Sequence, residues 1–82
     1  MHKDDSKTYL NKLSSEGISN LNDGKPKIAL KKFETILLHR PNHPKILNFI
    51  GLAYCQLKNL NMALKYIMKA IANDSKEIGF YI

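Results

Sequence analysis

The sequence predicts an all-α chain built from antiparallel helical hairpins. Apolar residues recur at intervals of three and four through four segments, which is the spacing of helices that bury one face. Helix-breaking residues at 22–26 and 40–44, and a polar bend at 58–61, separate these segments. No stretch alternates apolar and polar residues as a half-buried strand does. Because the connections are short, consecutive helices are expected to run antiparallel.

Two helices are predicted in the first half of the chain. A polar start, Met1 to Ser6, precedes a first helix from about Lys7 to Asn22. Gly24 lies just past the end of this helix and Pro26 just inside the next, where these two residues are typical. The second helix is expected over about Pro26 to His39. Its predicted buried face comprises Ile28, Ala29, Phe33, Ile36 and Leu37.

Two more helices are predicted in the second half of the chain. Pro41 cannot continue a helix, whereas Pro44 fits the first turn of a third helix that reaches about Leu57. A fourth helix is expected over about Leu60 to Asn73, after which 74–75 can cap one more turn. The predicted buried faces comprise Leu47, Ile50, Gly51, Ala53, Tyr54 and Leu57 in the third helix, and Ala63, Leu64, Ile67, Ala70 and Ile71 in the fourth.

The bulk composition narrows the class of protein. With 82 residues the chain forms one domain at most, and its hydrophobic content of 44% is typical of a globular chain. A formal net charge of +6 favours attraction to acidic partners without identifying one. Cys55 is the single cysteine, which excludes an intrachain disulfide and a cysteine-based zinc site. No apolar run suffices for a signal peptide or a membrane span, so we expect a cytoplasmic protein with no membrane partner.

The chain matches itself when it is shifted by 34 residues. The identical pairs are Leu13/Leu47, Gly17/Gly51, Ala29/Ala63, Leu30/Leu64 and Lys31/Lys65, and the pairs alike in kind are Ile18/Leu52, Phe33/Ile67 and Leu37/Ile71. The matches concentrate on predicted buried faces, as expected of a stacked structural unit. Small residues at Gly17 and Gly51 would let the two helices of a hairpin cross closely. Small residues at Ala29 and Ala63 would let the following helix pass close to the second helix of the hairpin.

A helix-turn-helix repeat of this period resembles the tetratricopeptide repeat. The second copy carries Leu47, Ile50-Gly51, Tyr54, Ala63, Ile67 and Ala70, and the first carries Leu13, Gly17, Ala29, Phe33 and Pro41. The resemblance implies an α-solenoid domain at 9–77, with repeat one at about 10–43 and repeat two at about 44–77. A polar tail would occupy 1–8, and 78–82 would start a third repeat or form a cap. The sequence departs from the family at Glu16, Asn20 and Ser75, where a large apolar residue, an aromatic residue and a proline are usual.

The resemblance also implies a protein-protein interaction module, whose groove is lined by the first helix of each repeat. Amide side chains would bond the backbone of a bound peptide or partner helix, and Ile18 and Leu52 would offer apolar pockets. The predicted partner-binding residues are Asn11, Ser14, Ile18, Lys45, Asn48, Leu52, Cys55 and Gln56, with Leu21 and Asn22 on the same wall. The alternative is that these residues form solvated helix surface. The carboxylate clamp of some family members is not expected, because its positions carry Ser14, Ile18 and Phe49 here.

Catalytic, metal and cofactor sites are not expected. His39 and His43 are four residues apart, but Pro41 lies between them and no third metal ligand is apparent. Cys55 has no histidine on its predicted face, the carboxylates are scattered, and no glycine-rich phosphate loop occurs. We therefore expect that the protein is not an enzyme.

Two alternatives to the groove stay open. Lys27, Lys31, Lys65 and Lys69 fall on the outer faces of the second helices, where they could contact nucleic acid or an acidic surface. Because that strip has no arginine and few aromatic residues, a solvated face is favoured and nucleic acid is not an expected partner. The other alternative is a self-associating unit or a fragment of a longer repeat protein. Its C-terminal apolar face would bind another copy to form a homodimer, or 80–82 would fold back over it.

Overall fold

Four helices form the part of the chain that the structure describes. The structure is a computed structural model, which describes the backbone of residues 3–78 and the side chains of residues 7–74. The helices are α1 (Lys3–Asn22), α2 (Pro26–His39), α3 (Pro44–Gln56) and α4 (Leu60–Ile78), and residues 3–78 contain no strand. Each helix packs against the next. The predicted all-α fold of consecutive helical hairpins is therefore confirmed.

The outer two helices are longer than the sequence predicted. α1 begins at Lys3 rather than near Lys7, and α4 continues to Ile78 rather than ending near Asn73. Neither extension contains glycine or proline, and polar residues of ordinary helix propensity extend an existing helix at little cost. Most of the expected polar tail is thus helical. The expected C-terminal segment lies outside the described residues beyond position 78.

The two hairpin turns have the same geometry, 34 residues apart. Each closes its helix with two nested backbone hydrogen bonds at 2.8–3.1 Å. They run from Lys25 N–H to Asn20 and from Gly24 N–H to Leu21 in the first turn, and from Asn59 N–H to Tyr54 and from Lys58 N–H to Cys55 in the second. The residue inside each turn has a positive φ, +73° at Gly24 and +62° at Lys58. The sequence repeat is therefore also a repeat of local structure.

The two helices of each hairpin cross closely at a glycine. A Cβ at Gly17 would lie 2.6 Å from Cε1 of Phe33, and a Cβ at Gly51 would lie 2.5 Å from Cγ1 of Ile67. These distances are far below the optimal separation of about 3.5–4.0 Å between carbon atoms. The predicted close crossing at these two glycines is confirmed.

The core is centred on α3, which contacts each of the other helices. One buried cluster joins α1, α2 and α3, and within it Phe33 is fully buried. Phe33 stacks on Phe49 with ring centroids 5.5 Å apart. The buried members of this cluster are Leu10, Leu21, Ala29, Leu30, Phe33, Ile36, Ile46, Ile50 and Ala53.

Three residues of the predicted buried faces are exposed instead. Ile28 is 47% exposed, and Leu64 and Ile71 are each 59% exposed. The residues matching the last two in α2 are covered, because Leu30 lies in the buried cluster and Leu37 packs against it. Within the described residues no helix follows α4, so its corresponding face has no such cover. The sequence pattern also missed the burial of Leu30 and Ile46.

Candidate functional site

The first helices of the two hairpins, α1 and α3, lie side by side in parallel. At their C-terminal ends the amide Nε2 of Gln56 donates a hydrogen bond of 3.0 Å to the carbonyl of Leu21. At the opposite end Lys7 of α1 and Lys45 of α3 line the same cavity. The two helices therefore form one wall, with a hydrogen bond at one end and a cavity at the other.

The cavity between α1 and α3 has a volume of about 240 Å³. Its floor is apolar, because Leu10, Ile36 and Ile46 are each at most 7% exposed. Its rim is polar and carries three residues of the predicted groove. The complete lining comprises Lys7, Leu10, Asn11, Ser14, Ile36, Arg40, His43, Lys45 and Ile46.

Three polar residues of this cavity, Lys7, Arg40 and His43, were not among the predicted groove residues. Lys7 was predicted at the boundary between the polar tail and the first helix, and Arg40 and His43 among the helix-breaking residues at 40–44. Lys7 precedes Asn11 and Ser14 by four and seven residues, which is the spacing of one helix face. That spacing could have revealed Lys7. Arg40 and His43 come from the loop after α2, whose path toward α1 depends on tertiary packing.

The remaining predicted residues of α3 spread over two other surfaces. Asn48 lies with Lys45 at a shallow depression of about 310 Å³ that α3 shares with Ile71 and Asp74 of α4. Leu52, 43% exposed, and Cys55, a free exposed thiol, lie further along α3. The structure thus gathers Asn11, Ser14 and Lys45 at one cavity and does not bring all eight predicted residues together.

On α1 the expected wall is partly buried. Ile18 is half-buried and packs against the core, whereas Leu21 is only 7% exposed. Leu21 is therefore a core residue, and its assignment to the groove was wrong. Asn22 is exposed. Gln56 is exposed too, but its amide N–H is engaged by Leu21.

Charged and titratable side chains outside the cavity have local roles. Lys32 pairs with Glu16 at 3.5 Å, joining α2 to α1. Burial raises the pKa of Tyr54 above its usual value near 10, with smaller contributions from Tyr66 and Glu34. Lys69 lies 5.5 Å from the ring centroid of Tyr66.

Among the described residues, neither His39 nor His43 has the neighbours that a metal site requires. His39 Nδ1 lies 3.2 Å from the carbonyl of Thr35, and His43 is the N-cap residue of α3. Among the side chains that the structure describes, no three His, Cys, Asp or Glu residues come together. None of the described helices is both long and apolar enough to cross a membrane.

In comparisons with protein-family models, with curated proteins and with solved structures, no match to this chain was found.

Proposed function

We propose that this chain is a protein-protein interaction module of two tetratricopeptide-like repeats, an adaptor or scaffold without catalytic activity. It binds a peptide or a partner helix in the groove between α1 and α3. The observation that carries this proposal is the cavity of about 240 Å³ between those helices. An apolar floor with a few polar groups on the rim is typical of sites that bind ligands.

The repeated geometry supports the tetratricopeptide-like interpretation. The hairpin turns and the glycine crossings recur at the 34-residue period on which the resemblance rests. Stacked hairpins of this kind place their first helices on one wall. In this chain α1 and α3 lie side by side, and Asn11, Ser14 and Lys45 meet between them.

Selection of peptides from a displayed random library on the immobilised full chain tests the groove. We expect the selected peptides to lose at least about tenfold in affinity when Asn11→Ala is combined with Ser14→Gln, which fills the cavity. The matched control combines Lys31→Glu with Lys65→Glu on the outer face and should bind normally. The pair Asn48→Ala with Leu52→Asp maps how far the ligand extends along α3.

The same variants distinguish the groove from the basic-strip alternative. Lys27, Lys31, Lys65 and Lys69 are all exposed. If they contact nucleic acid or an acidic surface, the double glutamate variant abolishes binding and binding weakens steeply with salt. Loss of peptide affinity in that variant, with normal binding by the groove variant, would overturn the groove proposal.

A specific observation also favours self-association as a second candidate function. Four large apolar side chains form a row along α4, here named the α4 stripe. The members of the stripe are Leu60, Leu64, Met68 and Ile71, which are 59–69% exposed. We infer that the stripe pairs with the same stripe of a second copy.

A further inference from the structure

Three cationic side chains surround the cavity between α1 and α3. Lys7 comes from α1, Arg40 from the loop after α2, and Lys45 from the first turn of α3. Within residues 7–74, Lys32 pairs with Glu16, and none of the three cations of the cavity forms an ion pair. The carboxylate described nearby is that of Asp74, which shares the neighbouring depression with Lys45. Clustered cations around a cavity produce a positive potential that attracts anionic ligands.

The N-terminus of α3 adds two hydrogen-bond donors beside this cavity. The N-cap residue His43 makes no side-chain capping bond, and Pro44 in the first turn has no N–H to offer. The N–H groups of Lys45 and Ile46 therefore have no acceptor within the helix, and both residues line the cavity. Nδ1 of His43 is also buried without a hydrogen-bond partner. The three cations and the two free N–H groups thus belong to residues that line one cavity.

The apolar floor decides which kind of anion fits. Leu10, Ile36 and Ile46 offer hydrocarbon to the inner part of a ligand, while the cations lie at the rim. A carboxylate on a short aliphatic stem satisfies both, because its methylene groups pack on the floor and its oxygens reach the rim. The residues lining this cavity include no Phe, Tyr or Trp ring on which a nucleic acid could stack a base.

We propose that the cavity binds a glutamate side chain of an acidic peptide segment. Arg40, Lys7 and Lys45 hold its carboxylate, and Asn11 and Ser14 bond the adjoining peptide backbone. This inference rests on the proposed function and specifies the chemistry of its ligand. These three carboxylate contacts are not the positions of the family's C-terminal carboxylate clamp, which carry Ser14, Ile18 and Phe49 here.

An NMR titration of the full chain with capped glutamate, N-acetylglutamate α-amide, tests the proposal. We expect shifts of the amide signals of Lys45, Ile46 and Asn11, with a dissociation constant on the order of millimolar for so small a ligand. The isosteric N-acetylglutamine α-amide should bind at least about fivefold more weakly, because it lacks the charge. Raising the ionic strength should weaken binding of the glutamate compound.

Two variants of equal charge change provide the control. Lys7→Gln with Arg40→Gln should weaken binding of capped glutamate by at least about fivefold. Lys31→Gln with Lys65→Gln removes the same charge from the outer face and should leave binding unchanged. Equal weakening in both double variants, or equal binding of the two capped amino acids, would overturn the proposal. Larger shifts of the same amides with inorganic phosphate or an oligonucleotide would also overturn it.

The outcomes separate this inference from the proposed function. If displayed peptides bind the groove without any preference for glutamate, the inference fails and the proposed function stands. If capped glutamate binds at the cavity but no displayed peptide is retained, the cavity is an anion site and the proposed function fails. Selection of glutamate-containing peptides that lose affinity on Arg40→Gln supports both.

Discussion

Asn20 and Tyr54 occupy matching positions near the ends of α1 and α3, but their surroundings differ. Tyr54 stacks on Tyr66 with ring centroids 5.8 Å apart, whereas Oδ1 of Asn20 is buried without a hydrogen-bond partner. A buried polar atom without a partner costs roughly 1–3 kcal/mol. We therefore expect Asn20→Leu to raise the free energy of unfolding in urea by about 1 kcal/mol or more. The control Ser19→Ala, on the exposed neighbour, should change it by less than about 0.5 kcal/mol. A loss of stability in Asn20→Leu would contradict this account.

Lys58 takes the left-handed conformation that glycine provides at the matching position of the first hairpin. The φ angles are +62° at Lys58 and +73° at Gly24, and a side chain is strained in this region. We expect Lys58→Gly to stabilise the protein by about 0.5–1 kcal/mol in urea denaturation. The control Lys65→Gly makes the same change at an exposed position inside α4 and should destabilise it by about 1 kcal/mol. Equal effects of the two substitutions would show that the backbone angle is unimportant.

Gly51 permits the close crossing of α3 and α4. An alanine Cβ there would lie 2.5 Å from Cγ1 of Ile67 and 3.2 Å from the carbonyl oxygen of Ala63. We expect Gly51→Ala to destabilise the protein by about 1–3 kcal/mol, although alanine is the better helix former. A double-mutant cycle with Ile67→Ala checks the cause, because removing the obstructing side chain should recover at least about 1 kcal/mol of this loss. Additive effects of the two substitutions would place the strain elsewhere.

The sequence predicted those helix boundaries that local chemistry determines. The breaks at Gly24, Pro26, Pro41 and Pro44 located the inner helix ends, since these residues act on their own backbone. The outer ends of α1 and α4 carry no such residue, and there the prediction fell short. Burial was predicted less well, because periodicity identifies an apolar face but not whether another helix covers it. For the same reason only part of the cavity lining was predicted. Asn11, Ser14 and Lys45 were predicted as groove residues, whereas Arg40 was not, because it reaches the cavity through tertiary packing.

The helices also differ in how firmly the packing holds them. α3 buries Ile46, Leu47 and Ile50 and contacts every other helix, whereas α1 is buried mainly at Leu10 and Leu21. Regions with few buried apolar contacts open at lower free energy than the core. We expect amide hydrogen exchange in the middle of α1 to be at least about tenfold faster than in the middle of α3. Equal protection in both helices would indicate that the chain opens only as one cooperative unit.

The whole molecule has two unlike ends. In α3 the residues that face the first hairpin are Ile46, Phe49, Ile50 and Ala53, which belong to the core or pack against it. The matching residues of α1 are Lys12, Ser15, Glu16 and Ser19, which are polar and not buried. The outer face of α1 therefore cannot cover the α4 stripe of another copy, and head-to-tail growth of a filament is disfavoured. Pairing of two α4 stripes about a two-fold axis closes instead at a dimer.

The paired stripes should make a weak dimer. Four side chains per copy form an interface at the low end of the range for specific association, below about 1,200 Å² in total. We expect the weight-average mass in sedimentation equilibrium to rise from 9.4 kDa toward twice that value as the concentration increases from about 10 μM to about 1 mM. Leu64→Asp with Ile71→Asp should keep the protein monomeric throughout, because each introduced charge would lose its water in the interface.

The exposed Leu38 provides the matched control for this dimer. It is 81% exposed on α2, away from the stripe, so Leu38→Asp changes the surface hydrophobicity without touching the proposed contact. This variant should associate as the original chain does, and both variants should keep the helical circular-dichroism signal. A monomer at every concentration, or equal loss of association in both variants, would contradict pairing through α4. In that case we expect a helix of another protein to cover the stripe. In the first hairpin α3 covers the matching face of α2 in this way.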